Sequence, residues 1–163
     1  TTQVVQSILA PHFSSINAVN AREVARERGI HITEAKEDLE DVYHNRITVT
    51  ITTDEKTRTA SGTLIQNQPR MVEIKGIKLE SEFGNHMLYI TNQDLPGVVC
   101  AIGKFALEKD VNIANMHMGR RESRGDAISL LEIDAPIASE DLEEFRKIEN
   151  IREVHYLNFE AIN

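Results

Sequence analysis

The stretch Thr91-Asn92-Gln93-Asp94-Leu95-Pro96-Gly97 joins the end of one predicted strand to the start of a predicted helix. The first amides of a helix lack intrahelical acceptors and sit at the positive end of its dipole, so they favour a carboxylate. Gly97 lets another backbone approach closely there. Asp94, just before that turn, offers its own carboxylate to an ammonium. Anion capture beside a carboxylate suits an α-amino acid zwitterion. The alternative is that Asp94 only caps the helix, a common task for aspartate in that position.

Other chemistries find little support. The eight glycines, at 29, 62, 76, 84, 97, 103, 119 and 125, are nowhere separated by a single residue, so no dinucleotide fingerprint or phosphate loop is present. The histidines, at 12, 31, 44, 86, 117 and 155, form no i, i+3 or i, i+4 pair, so no helix-borne metal site is expected. Cys100 lies in an apolar helical stretch and reads as a buried, inert thiol. No Ser-His-Asp constellation is legible. We therefore assign no catalytic residue and no metal ligand.

Composition narrows the classes further. Over 163 residues, 18 Lys plus Arg stand against 26 Asp plus Glu, a net charge of −8. An acidic chain does not offer the basic patch that nucleic acid requires. Aromatics are 5 % and Trp is absent, so base-stacking platforms are not expected. The longest apolar runs, such as Val98-Val99-Cys100-Ala101-Ile102, fall far short of the roughly 18 residues of a membrane helix. A single cysteine excludes an intrachain disulfide and weakly favours a reducing, cytoplasmic setting. The opening Thr1-Thr2-Gln3-Val4-Val5 reads like the middle of something, so a piece of a longer protein is expected.

Around the Asp94 loop the elements predict an α+β chain. Residues 3–10 read as the end of a helix, and 22–28 as a short helix stopped by Gly29 in the left-handed conformation. Residues 30–33 are strand-like, and 34–43 form a solvated acidic connector. Ile47, Val49 and Ile51 alternate on one face of a strand. Residues 60–65 form a second. From Met71 the apolar parity flips, even at Val72 and Ile74 but odd at Ile77 and Leu79, which predicts a tight hairpin at Lys75-Gly76. Residues 80–85 break the pattern, so domains of 1–84 and 85–163 are expected.

The second segment reads as β-α-β-β-α-β. Its strands are 86–92, 111–120, 127–134 and 151–159, and a charged turn occupies 121–125. The first helix covers 96–109, with Pro96 in its first turn and Val98, Ile102 and Phe105 on its inner stripe. Ser139 is expected to cap the second helix, with Glu140 and Asp141 in its first turn. That order is the ferredoxin-like split βαβ unit with an antiparallel sheet.

The segments LYITNQDLPG (88–97), DVNIANMHMGRR (110–121) and DAISLLEID (126–134) resemble an ACT domain, in particular the one ending bacterial D-3-phosphoglycerate dehydrogenases. Val19-Asn20-Ala21 and Ala25-Arg26-Glu27-Arg28-Gly29-Ile30 resemble the intervening, allosteric-substrate-binding-type domain of the long form of that enzyme. The resemblance covers nearly all of the chain. It implies that the first domain is partial, lacking strand and helix material upstream of Thr1.

What the resemblance implies is a regulatory, non-catalytic segment. L-serine would bind between two ACT domains of a homodimer or larger homo-oligomer and inhibit. Carried over by position, Asn92 and Asp94 fall on the serine-contacting loop, and Asn112 on the matching asparagine from the facing subunit. Asp94 would meet the ammonium, and the backbone near Pro96 and Gly97 the carboxylate. Asn92 departs from the His or Tyr of some relatives. NAD would belong to the catalytic domains of the parent, with no cofactor in this segment. For an anionic effector of the first domain, the candidate residues are Arg70, Lys75, Lys78, Arg120 and Arg121. Two alternatives stand beside this: the β part of an iron–sulfur L-serine dehydratase, and a ligand-free oligomerisation module. On every one of these readings, nucleic acid and membrane are not expected partners.

Overall fold

A computed structural model describes residues 1–13, 15–36, 42–43 and 45–159, which divide into compact units of 1–42 and 43–163. The boundary expected at 84/85 falls inside the second unit, between its two sheets.

In the first unit, α1 (Thr2–Leu9) runs into a 3₁₀ turn (Ala10–His12), and α2 (Ala21–Glu27) follows. Leu9, Ala21 and Ala25 are buried. Gly29 ends α2 at φ +71°, a backbone conformation that a Cβ disfavours. Its N–H donates to Arg26 and that of Ile30 donates to Ala25, the paired bonds of a Schellman stop. Residues 30–33 form no strand. A strand needs a neighbour for its N–H and C=O groups, and among the described residues none pairs there. Half of the predicted acidic connector, residues 37–41, lies outside the described residues.

The second unit opens with an antiparallel meander of β1 (Arg46–Thr52), β2 (Thr57–Ile65), β3 (Gln68–Ile74) and β4 (Ile77–Ser81). The parity flip near Gly76 is a two-residue hairpin, with Lys75 at φ +52° and Gly76 at φ +75°. Then come β5 (His86–Gln93), α3 (Val98–Glu108), β6 (Ile113–Arg120), β7 (Asp126–Ile133), α4 (Ser139–Phe145) and β8 (Ile151–Asn158). The second sheet has the order β6-β7-β5-β8, and every pair in it is antiparallel. This is the expected α+β, ferredoxin-like arrangement.

Both helices pack on one face of that sheet. Val98, Ile102 and Phe105 of α3 and Phe145 of α4 bury against Leu88, Ile90, Leu131, Ile133 and Val154. The other face carries Met87 and Leu130, which pack against Leu79, Met71 and Ile74 of the meander. Where β4 crosses β6, Gly119 leaves no room for a Cβ, which would stand 2.3 Å from the Lys78 carbonyl oxygen. Lys109 ties the end of α3 to α4 through Asp141 (2.8 Å) and Glu144.

Three local expectations are corrected. Cys100 is exposed, because two residues along a helix turn it about 200° from Val98, away from the core stripe. Pro96 lies outside α3, since Gly97 at φ +96° holds the capping position and the helix starts at Val98. Ser139 is itself the first helical residue; the capping position is Ala138, and no side chain caps α4.

Candidate functional site

The loop between β5 and α3 is anchored to the β6–β7 turn through Asp94. The Asp94 N–H donates to the Gly125 carbonyl (2.8 Å). Its carboxylate oxygen Oδ2 accepts from Arg120 Nη1 (2.8 Å) and from the Arg124 N–H (3.2 Å). These bonds, Arg120 first, hold the Asp94 carboxyl below the usual carboxylate range. Asp94 makes no side-chain cap on α3, so the capping alternative does not hold. Gly97 earns its place by its positive φ: a Cβ there would meet nothing within 4 Å, so no backbone approaches closely, and the surface is open.

Asn92 is buried at the end of β5. Its Nδ2 donates to the Gln93 carbonyl (2.9 Å), while Oδ1 is enclosed with no partner among the described residues. A buried amide oxygen without a bond is costly. Pro96 and Gly97 are exposed beside it in sequence. Asn112 is elsewhere. Its Nδ2 donates to Asp134 Oδ2 (2.7 Å), just before β6, whereas Arg120 ends that strand. Eight residues at about 3.3 Å each separate Asn112 from Arg120 by about 26 Å. Within one chain, Asp94 and Asn112 are therefore at opposite ends of the sheet.

The basic residues disperse. Arg70 pairs with Glu82 (2.6 Å) on the meander, Lys78 points into solvent from β4, and Arg120 holds Asp94. Lys75 and Arg121 come together: Arg121 Nη2 donates to the Lys75 carbonyl (2.9 Å). They line an open cleft of about 610 Å³ between the β3–β4 turn, β2 and the ends of β5, β7 and β8. Arg58 and Arg152 also line it, so four cations face two carboxylates, Glu153 and Asp126. Lys75 binds Glu153 (3.0 Å) and Arg152 binds Asp126 (2.5 Å). The Lys75 ammonium, with Arg58 farther off at 3.9 Å, draws the Glu153 carboxyl below its ordinary value. Sequence reasoning missed Arg58 and Arg152. They stand 94 positions apart, and only the strand pairing unites them, so no local signal marks them.

Among the described residues no group of three His, Cys, Asp or Glu is placed to hold a metal ion. No helix of the described residues is long and apolar enough to cross a membrane.

Residues 1–75 match the family model described as the D-3-phosphoglycerate dehydrogenase intervening domain. The chain is 34 % identical over 160 residues to the D-3-phosphoglycerate dehydrogenase of Bacillus subtilis, covering 97 % of the chain and 30 % of that protein. It is 30 % identical over 155 residues to that of Methanocaldococcus jannaschii, covering 94 % and 29 %. A probable L-serine dehydratase β chain from Bacillus subtilis is 25 % identical over 136 residues, covering 82 % of the chain and 61 % of that protein. The chain thus spans about 30 % of the length of the dehydrogenases it matches. By these matches the chain is a relative of the C-terminal region of D-3-phosphoglycerate dehydrogenases, intervening domain included.

Proposed function

We propose that the chain is the regulatory portion of an NAD-dependent D-3-phosphoglycerate dehydrogenase, and that its ferredoxin-like half is an ACT domain that binds L-serine. NAD and the dehydrogenase chemistry belong to catalytic domains outside this sequence. The carrying observation is the Asp94 loop. A carboxylate fixed by two elements stands at the mouth of α3, beside an open glycine turn. Asp94 meets the ammonium and the first amides of α3 meet the carboxylate. Serine then acts as feedback inhibitor by binding two arrangements of the regulatory dimer unequally, which is what allostery requires. The match of residues 1–75 to the intervening domain favours this reading over an L-serine dehydratase β part.

A second copy completes the site. Among the described residues β6 is an edge strand that pairs with β7 alone, and antiparallel pairing with another β6 about a two-fold axis would satisfy the backbone groups on its outer side. That pairing sets the start of one β6 beside the end of the other, bringing the partner subunit's Asn112 to Asp94.

Titration calorimetry with L-serine tests this, with glycine, L-alanine and D-serine as controls. We expect selective heat from L-serine, abolished by Asp94→Ala and by Asn112→Ala. Ligand at about 100 times its Kd should also stabilise the fold by about 2.7 kcal/mol. Mixing the two inactive variants should restore binding, because a mixed dimer rebuilds one intact site. A folded chain that gives no heat with L-serine would overturn the serine reading and favour the ligand-free module. Failure of the mixture alone would overturn the shared site.

A second reading rests on the cleft. Four cations converge there on a chain of net charge −8, and Lys75 occupies a left-handed turn position that Asn or Gly fills more easily. We infer an anionic effector held by Lys75, Arg58, Arg121 and Arg152. Lys75→Asn keeps the turn, so it should abolish phosphate binding without unfolding the chain. Unchanged phosphate affinity would reject the cleft.

A further inference from the structure

Asp94 and Arg120 present a carboxylate and a guanidinium side by side at the surface. Both bonds recorded to the Asp94 carboxylate go to Oδ2, so Oδ1 has no partner among the described residues. The Arg120 side chain is 60 % exposed and uses one N–H, from Nη1. A guanidinium carries five donors in a planar fork suited to carboxylates. An α-amino acid carries the opposite charges on one carbon. It can dock antiparallel on the Asp94–Arg120 pair, ammonium on Asp94 and carboxylate on Arg120, without breaking either existing bond.

We propose that Arg120 is a specificity-determining residue of the Asp94 site, holding the ligand's α-carboxylate together with the first amides of α3. This rests on the amino-acid reading of the loop. It adds a demand for the ligand's negative charge that a helix terminus alone would impose only weakly. The rival geometry has the ligand's ammonium expelling Arg120 from Asp94, which makes Arg120 a competitor. The two differ in sign: removing a carboxylate partner weakens binding, whereas removing a competitor strengthens it.

The test is calorimetry on the full chain, unaltered and as Arg120→Gln and Arg120→Lys, with L-serine and L-serinamide. Serinamide keeps the ammonium and lacks the carboxylate. Arg120→Gln should lower L-serine affinity about tenfold or more, since a charge-assisted pair is lost. It should leave the weaker serinamide affinity within about twofold. Arg120→Lys should recover part of the loss, as a point charge without the fork. Equal or tighter L-serine binding by Arg120→Gln would overturn the proposal in favour of a bystander or competitor. Equal losses for L-serine and serinamide would also overturn it, by reducing Arg120 to a clamp that positions Asp94. If the unaltered chain binds neither compound, the amino-acid reading itself fails and takes this proposal with it.

Discussion

Replacing Gly119 by alanine would drive a methyl group into the backbone of β4. The added Cβ would stand 2.3 Å from the Lys78 carbonyl oxygen, 2.8 Å from Ile77 Cγ2 and 3.1 Å from the Lys78 carbonyl carbon. Two of those atoms are main chain, in a strand whose Lys78 pairs with Glu73, so no side-chain rotation relieves them. The strand has to lift by about 1 Å to restore van der Waals contact. That parts Leu79 from Met87 and Leu130. Overpacking costs about 1–3 kcal/mol, and a backbone clash belongs at the upper end. At about 2–4 °C per kcal/mol for a chain of this size, the melting temperature should fall by roughly 6–12 °C. Gly103→Ala is the control. It lies on the exposed side of α3 with nothing within 4 Å of its Cβ, so it should gain about 0.5–1 kcal/mol from helix propensity. Urea unfolding followed by far-ultraviolet circular dichroism separates the two. An unchanged midpoint for Gly119→Ala would refute the close crossing of β4 over β6. The same variant should also weaken the phosphate binding proposed for the cleft, because Gly76 and Ile77 beside the clash line it.

Phe145 is fully buried with its ring 4.4 Å from that of Phe105, so Phe145→Ala should cost about 3–5 kcal/mol in urea titration. A loss under about 1 kcal/mol would mean that α4 does not close this core. The Glu153 carboxyl is held below its ordinary value of 4.5, chiefly by Lys75. Its stabilisation is therefore present above pH 4.5 and lost as pH falls through the depressed value. Glu153→Gln should melt below the unaltered chain at pH 7, with the gap closing in acid; a gap independent of pH would count against the ion pair. Cys100 should react fully with a soluble thiol reagent in the native chain. Protection until urea is added would place it in the core or under a partner.

Much of the architecture follows from local pattern. The parity flip from Ile74 to Ile77 requires a hairpin, because side chains alternate with period two and one strand cannot bury both sets. Val98, Ile102 and Phe105 mark one helical face for the same kind of reason. The strand–helix alternation after residue 85 admits few antiparallel arrangements, and the ferredoxin-like order is the one found. The Asp94 loop was visible as a strand end meeting a glycine turn. Strand pattern at residues 30–33 misled, since alternation without a neighbouring strand leaves backbone groups unpaired.

Charge partners are different, because they depend on register between distant strands. The pairing of Thr91 with Glu153 across β5 and β8 carries Glu153 toward the Lys75 turn. The pairing of Ile51 with Arg58 across β1 and β2 leaves Arg58 at the same cleft. Nothing near Asp94 in the chain announces Arg120, 26 positions away, as the group that holds it. Nor does local pattern reveal that Asn112 lies at the far end of the sheet from Asp94. Periodicity is a property of neighbouring residues, so the elements and their buried faces could be read from the chain directly. Which charges meet is decided by how those faces stack and in what register, and that is settled only when the whole core closes.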